Sequence, residues 1–235
     1  MLIYLDLETT GLEETDRICS AGMLVNDQGR WSAKEERIKP PRRIRPEAMA
    51  VHHITDEMVK NAPMFERSQT AAFLQEHNSM GNTLVAHNAG FELAMLAKEG
   101  LIWQGGVIDT LKCSKHLIEE IDRFSLQYLR YELGLYRSEA EEAARLGVTL
   151  RAHDALSDAF HVMLLHRYLN TLAVDETLFA LSVEPVLIKK FGFGKYKGHY
   201  LEEVAMRDPA YLRWLSAQAI DEDMEYSIGH YLETL

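Results

Sequence analysis

The opening run Leu2-Ile3-Tyr4-Leu5-Asp6-Leu7-Glu8-Thr9 sets two carboxylates into an otherwise apolar strand. Side chains alternate faces along a strand, so Asp6 and Glu8 point the same way, roughly 6.6 Å apart along the backbone, while Ile3, Leu5 and Leu7 face the opposite side. Two like charges side by side repel unless something positive sits between them. An all-oxygen pair of this kind suits a hard divalent cation such as magnesium or manganese. The strand therefore asks for a sheet that buries its apolar face, and for further ligands from elsewhere in the chain.

The rest of the pattern is α/β. Ile18–Val25 reads as a second strand entering the Asn26-Asp27-Gln28-Gly29 turn, and Trp31–Ile38 pairs back as a third. Pro40-Pro41 ends it, and Pro46–Ala50 and Asp56–Val59 are expected to be short helices framing a loop with His52 and His53. Ser68–His77 has helical periodicity, Asn82–Ala86 is a strand, and a helix follows His87-Asn88. Val107–Thr110 is a short strand, with helices after it at Lys112–Glu120 and Ser125–Leu133. Arg151–Leu169 is the strongest helix, lined by Leu156, Phe160, Met163 and Leu164. Strands interleaved with helices after a three-stranded meander predict an α/β sheet with helices packed on it. We expect one domain over 1–172, a linker at 173–186 and a small hairpin-and-helix module at 187–235. In that module Phe191–Tyr200 alternates aromatic and basic residues around glycines, and Asp208-Pro209 opens a helix.

At 235 residues, 47% hydrophobic and 26% charged, the composition is that of a soluble globular protein. The apolar start is broken at Asp6 without a basic leader, and no apolar stretch approaches the ~18 residues that span a bilayer, so we expect no membrane contact and a cytoplasmic location. Cys19 and Cys113 form neither a CxxC pair nor a disulfide framework and are expected to be buried. The net charge of −11 argues against a nucleic-acid partner. Its distribution argues the other way. Arg37, Lys39, Arg42, Arg43 and Arg45 follow one another without an acid, as do Lys189, Lys190, Lys195 and Lys197, and each run is a candidate phosphate track.

His153-Asp154-Ala155-Leu156-Ser157-Asp158 opens the strong helix. Were His153 itself helical, Asp158 would lie about 140° away around the axis. The consistent arrangement leaves His153 in the preceding loop, makes Asp154 the cap, and projects Asp158 from the first turns into the same space. Ala86-His87-Asn88-Ala89-Gly90-Phe91-Glu92 is a strand end turning into a helix, with Glu92 on its first turn.

Together these segments resemble the three ordered motifs of the DEDDh group of 3′-to-5′ exonucleases. Asp6-Leu7-Glu8-Thr9-Thr10-Gly11-Leu12 matches the first motif throughout, and His153 with Asp158 matches the third. The second resembles His-Asn-Ala-x-Phe-Asp, with Glu92 standing where the group carries Asp. Val51-His52-His53-Ile54-Thr55 resembles the substrate-side loop between the first two. The resemblance implies a ribonuclease H-like mixed sheet with flanking helices, two Mg2+ or Mn2+ ions, and release of nucleoside 5′-monophosphates from a 3′ end. It implies that Asp6 bridges the ions, Glu8 and Asp158 hold the one nearer the attacking water, Glu92 holds the other, and His153 is the general base. Thr9, Thr10, Leu12, His52 and Asn88 are then the expected substrate contacts.

Phe191–Leu215 resembles the C-terminal segment of one DNA-degrading member of that group. This tips the expected partner toward single-stranded or frayed 3′ ends of DNA, and Lys195 and Lys197 toward phosphate contact. An RNA exonuclease, or a weakly active nucleic-acid-binding protein in which Glu92 has spoiled the site, are the rival readings. No protein partner is indicated.

Overall fold

Strand β1 (Leu2–Thr9) lies in the middle of a five-stranded sheet of order β3-β2-β1-β4-β5, with β2 at Ile18–Asp27, β3 at Arg30–Arg37, β4 at Thr83–Ala86 and β5 at Gly106–Asp109. The β1–β2 and β2–β3 pairs are antiparallel, and β1–β4 and β4–β5 are parallel, so the sheet is mixed. The structure, a computed structural model, describes residues 1–118, 121 and 123–234 and divides into two units, Met1–Ser182 and Val183–Leu235. Glu119 and Glu120, the end of the expected Lys112–Glu120 helix, lie outside the described residues, as does Leu235 at the end of the expected module.

Helices of the first unit are α1 (Pro46–His52), α2 (Asp56–Val59), α3 (Gln69–Glu76), α4 (Ala89–Lys98), α5 (Thr110–Leu117), α6 (Leu126–Glu132), α7 (Glu139–Leu146), α8 (Ala155–Leu169) and α9 (Asp175–Val183). Because β1 is central, both its faces are covered. Ile3, Leu5 and Leu7 pack with Met23 and Val25 of β2 and with Leu74 of α3 and Met95 of α4. Tyr4, on the other face, packs with Leu24, Val85, Ile108 and the α8 residues Phe160 and Met163. Asp6 and Glu8 share Tyr4's face, so the strand carries them out of the apolar layer on the side that α8 covers.

Gly22, directly opposite Asp6 in the β1–β2 register, lets α8 come this close. A Cβ at Gly22 would lie 2.1 Å from backbone atoms of Ala155 and Leu156, the first residues of α8. Gly22→Ala is therefore expected to lift the start of α8 off the sheet, at about 1–3 kcal/mol in stability. Thermal melts check this, and a variant that melts like the parent contradicts it.

The expected linker at 173–186 is in part a helix, α9, that belongs to the first unit. Leu178 is fully buried in the layer on the α8 side, and Ser182 Oγ accepts the Asp109 N–H at 2.8 Å. His166 ties α9 further, with Nδ1 3.0 Å from the Tyr4 hydroxyl and Nε2 3.1 Å from Asp175. Leu178, Phe179 and Leu181 line the side of the helix that faces this layer, but Ala180 and Val183 on the exposed side are apolar too, so no 3.6-residue stripe announces it.

In the second unit α10 (Leu201–Arg207), α11 (Pro209–Ser216) and α12 (Glu222–Glu233) enclose Phe191, Leu212, Leu215, Met224 and Ile228. Phe191–Tyr200 closes as a loop, with one antiparallel bridge at Lys190 and Tyr200 and the Phe191 N–H donating to the His199 carbonyl at 2.9 Å. Asp208 caps α11, its side chain accepting the Tyr211 N–H. Cys19 and Cys113 are both buried and unpaired. Among the described residues no helix is long and apolar enough to cross a membrane.

Candidate active site

Asp6 and Glu8 at the end of β1 and Asp158 in the first turn of α8 each offer one carboxylate oxygen such that the three atoms lie within 4.8 Å of one another. Asp154 caps α8 by accepting the Ser157 N–H at 3.3 Å, and His153 stays outside the helix with a left-handed backbone, φ 52°. This turn aims Asp158 at the strand, as the five-residue spacing requires. Burial, then the charges of Glu92, Asp158 and Glu8, push the Asp6 carboxyl well above the usual carboxylate range. Burial and the neighbouring Asp158 push Glu8 up to about 7.

Glu92 approaches from the first turn of α4. It is 4% exposed, outside the mutual 4.8 Å of the trio, and its Oε2 has no hydrogen-bond partner. Burial, with the charges of Asp109 and Glu8, pushes it up to about 8. An orphaned buried carboxylate oxygen beside three converging carboxylates is a donor set short of positive charge, and its all-oxygen chemistry fits hard divalent cations. Asp6, Glu8 and Asp158 could hold such a cation, and Glu92 lies outside their mutual 4.8 Å. Glu92→Asp is expected to keep or raise the hydrolysis rate, whereas Glu92→Gln lowers it by roughly tenfold or more. Rates unchanged by both substitutions would remove Glu92 from the site.

The second motif locks two strand ends together. Asn88 is left-handed at φ 75°, and its N–H donates to Asp109 Oδ1 at 3.1 Å. His87 bridges Thr110 Oγ1 at 3.0 Å and the Phe124 carbonyl at 2.7 Å. Asn88 is exposed and its side chain does not cap α4.

On the substrate side, Thr10 is buried and its hydroxyl donates to Asp16 at 2.8 Å, while the Thr9 hydroxyl donates to the Gly11 carbonyl at 2.7 Å. Leu12 is 85% exposed. His52 is buried: Nδ1 accepts the Ile54 N–H at 3.0 Å, which assigns the proton to Nε2, 3.1 Å from the Thr9 carbonyl. Its ring nitrogens thus hold the turn that carries Thr9. The exposed imidazole is His53, also left-handed at φ 59°, with its ring edge-to-face with that of His153 at 5.9 Å.

A cavity of about 580 Å³ opens beside Glu8, walled by Thr9, Leu12, Ala48, Val51 and Phe91. Of these, only Ala48 carries no mark in the sequence; Val51 and Phe91 fall inside the segments that resemble the substrate-side loop and the second motif. Three of the five basic residues in the Arg37–Arg45 run meet acids, and Lys39 and Arg43 are exposed. Arg45 pairs with Glu13, Arg42 lies 3.4 Å from Asp16, and Arg37 lies 3.7 Å from Glu35 and 3.9 Å from Asp154. In the second unit Lys195 and Lys197 are exposed, and Lys195 Nζ lies 3.1 Å from Asp208.

Comparison with known proteins gives a consistent set of relatives. Residues 3–165 match the profile of the exonuclease family, and residues 191–219 match that of the exodeoxyribonuclease X-like C-terminal segment. Exodeoxyribonuclease 10 of Escherichia coli K12 is 31% identical over 241 residues, 99% of each chain. The DNA polymerase III subunit epsilon of Treponema pallidum is 34% identical over 170 residues, 64% of this chain and 76% of that one. Among solved structures, exonuclease X in complex with 5′-overhanging duplex DNA superposes with a TM-score of 0.59 at 25% identity, covering 77% of this chain and 99% of that one.

Proposed function

We propose a function from one premise: the chain belongs to the exonuclease family. It acts as a 3′-to-5′ exonuclease of DNA, hydrolysing the terminal phosphodiester and releasing nucleoside 5′-monophosphates. The convergence of Asp6, Glu8 and Asp158 within 4.8 Å, below a loop that exposes His153, is the observation that carries this reading.

Two Mg2+ or Mn2+ ions, when bound, would make the attacking water acidic and offset the charge growing on the leaving 3′ oxygen. Asp6, which has the most carboxylate neighbours, would hold these ions together with Glu8, Asp158 and Glu92. His153, exposed in its loop, takes the proton of the water and passes it to solvent. The cavity beside Glu8 receives the terminal nucleotide, with Leu12, Val51 and Phe91 against the base. Thr9, held from behind by His52, shapes its floor. Asn88 acts from its backbone by fixing the turn that delivers Glu92.

DNA is favoured over RNA because the relative matched over its full length is an exodeoxyribonuclease and the 25%-identical structure holds DNA with a recessed 3′ end. The test is direct. The protein is incubated with 5′-labelled single-stranded DNA, 5′-overhanging duplex and matched RNA, in Mg2+, Mn2+ or chelator, beside Asp6→Ala. A ladder shortening from the 3′ end of DNA only with metal and intact Asp6 is expected. Binding without degradation in any metal contradicts the reading, and faster loss of RNA contradicts its substrate.

We read Val183–Leu235 as a DNA-binding module. Phe193, Tyr200 and Trp214 are 45%, 47% and 56% exposed, and Lys195 and Lys197 stand among them in the chain or the unit. Exposed aromatics with lysines suit stacked bases and backbone phosphates. The double substitution Lys197→Ala with Trp214→Ala is expected to raise KM for single-stranded DNA roughly tenfold with kcat little changed, as steady-state kinetics would report. An unchanged KM removes this role.

A further inference from the structure

Asp158 is held by more than its own helix. Its Oδ1 accepts a hydrogen bond from Gln127 Nε2 at 2.6 Å and lies 3.4 Å from Nδ1 of His161, one turn along α8. Gln127 Oε1 in turn accepts from Arg130 at 3.0 Å. The Arg130 guanidinium donates to both oxygens of Glu139 at 2.7 and 2.6 Å. Glu139 Oε2 lies 3.6 Å from His161 Nε2, a buried nitrogen that makes no hydrogen bond. Five side chains from α6, α7 and α8 thus form an open ring, hydrogen-bonded from Glu139 through Arg130 and Gln127 to Asp158 and from there to His161, and only Asp158 belongs to the carboxylate trio.

A ring that merely fastened α6 and α7 to α8 would be superfluous, because Leu129 of α6 and Ala143 of α7 already pack in the apolar layer with Phe160. Buried polar rings are poor glue, since desolvation offsets most of what their contacts contribute. The charges here are also arranged with care. Arg130 is neutralised by Glu139, so what reaches Asp158 is the uncharged amide of Gln127 and the imidazole of His161. An arginine or lysine in direct contact would have occupied Asp158 in place of a cation. Both contacts fall on Oδ1, which leaves Oδ2 for an ion.

We propose that Gln127 and His161, braced by Arg130 and Glu139, are positioning residues that hold the Asp158 carboxylate in the orientation with which the trio takes up a divalent cation. This rests on the metal-ligand assignment of the exonuclease reading. Groups that hydrogen-bond to a metal ligand typically change metal affinity by about 10–100-fold.

Mn2+ uptake by the metal-free full-length chain, followed by electron paramagnetic resonance without DNA, tests this apart from catalysis. Gln127→Met is expected to weaken Mn2+ binding by about tenfold and to raise the Mn2+ concentration for half-maximal hydrolysis equally, with KM for DNA unchanged. His161→Leu should act in the same direction, and His161→Asn, which restores a donor near Nδ1, should recover much of the loss. Glu139→Gln, remote from the trio, should give a smaller shift and guards against a folding defect, with melts run on each variant. Mn2+ binding within about twofold of the parent in Gln127→Met, His161→Leu and Glu139→Gln alike overturns the proposal. A parent that binds Mn2+ yet degrades no DNA overturns the exonuclease reading alone, while shifted binding in the variants still supports the ring. A parent that takes up no Mn2+ overturns both.

Discussion

Replacing Asp6 with asparagine is expected to slow DNA hydrolysis on the order of a thousandfold while making the metal-free protein more stable. The two effects have one cause. Asp6 sits among Glu8, Glu92 and Asp158, and burial plus their charges hold its carboxyl far above the usual range. That crowding is favourable only to a cation. An amide keeps the shape, removes one negative charge and relieves the cluster, so in chelator the variant should melt higher than its parent. Single-turnover digestion of 5′-labelled DNA and melts in EDTA measure the two halves. Activity within tenfold of the parent would mean that Asp6 is not a ligand of the ions, and a lower melting temperature would mean that its charge is compensated in the resting protein.

In chelator, the stability contributed by Glu8 and Glu92 should fall as pH rises from about 4.5 to 8, a direction opposite to that of acids held in ion pairs and to that of His52, His87 and His166, which burial holds below the usual imidazole range. In the unfolded chain Asp and Glu titrate near pH 4. In the folded chain Glu8 keeps its proton up to about 7 and Glu92 up to about 8. Between these limits the folded state binds more protons than the unfolded one, so each raised group removes up to ~1.4 kcal/mol per pH unit, and the loss is complete above the folded value. Stability from this source is full below about pH 4. A total decline of several kcal/mol is the order expected, with Glu92 the larger contributor because it is the more buried. Millimolar Mg2+ or Mn2+ should flatten the curve, and Glu92→Gln should remove much of its slope. Urea unfolding of the parent and Glu92→Gln from pH 4.5 to 8.5 with EDTA and with metal reads this out, and equal slopes for the two in EDTA contradict it.

Much of the site is legible in the sequence because its logic is local. Alternation along β1 puts Asp6 and Glu8 on one face, and the His153–Asp158 spacing demands a cap at Asp154, which the fold supplies. What is illegible depends on register and on distant partners. Nothing around Gly22 distinguishes it from any strand glycine until it is paired with Asp6 and laid against Ala155. That His52 lines the cavity while both its nitrogens rest on the backbone of Ile54 and Thr9 is visible only in the fold. The Arg37–Arg45 run reads as a free cationic stretch because Glu13 and Asp16, far from it in sequence, neutralise much of it. Gln127 carries no motif, and its role exists only through the helix it faces.

Among the described residues four non-glycine positions have positive φ, and three of them, His53, Asn88 and His153, stand around the carboxylates. Such a backbone costs an ordinary residue roughly 1–2 kcal/mol and persists only where the surroundings enforce it. The loops that present the imidazoles are thus already restricted before any strand end arrives, and docking has little loop freedom left to extinguish. The same restriction limits adaptation. A lineage moving to hotter surroundings cannot relax these corners to glycine without discarding His53 and His153, so its gains in heat resistance would have to accumulate in the helices and turns remote from the carboxylates.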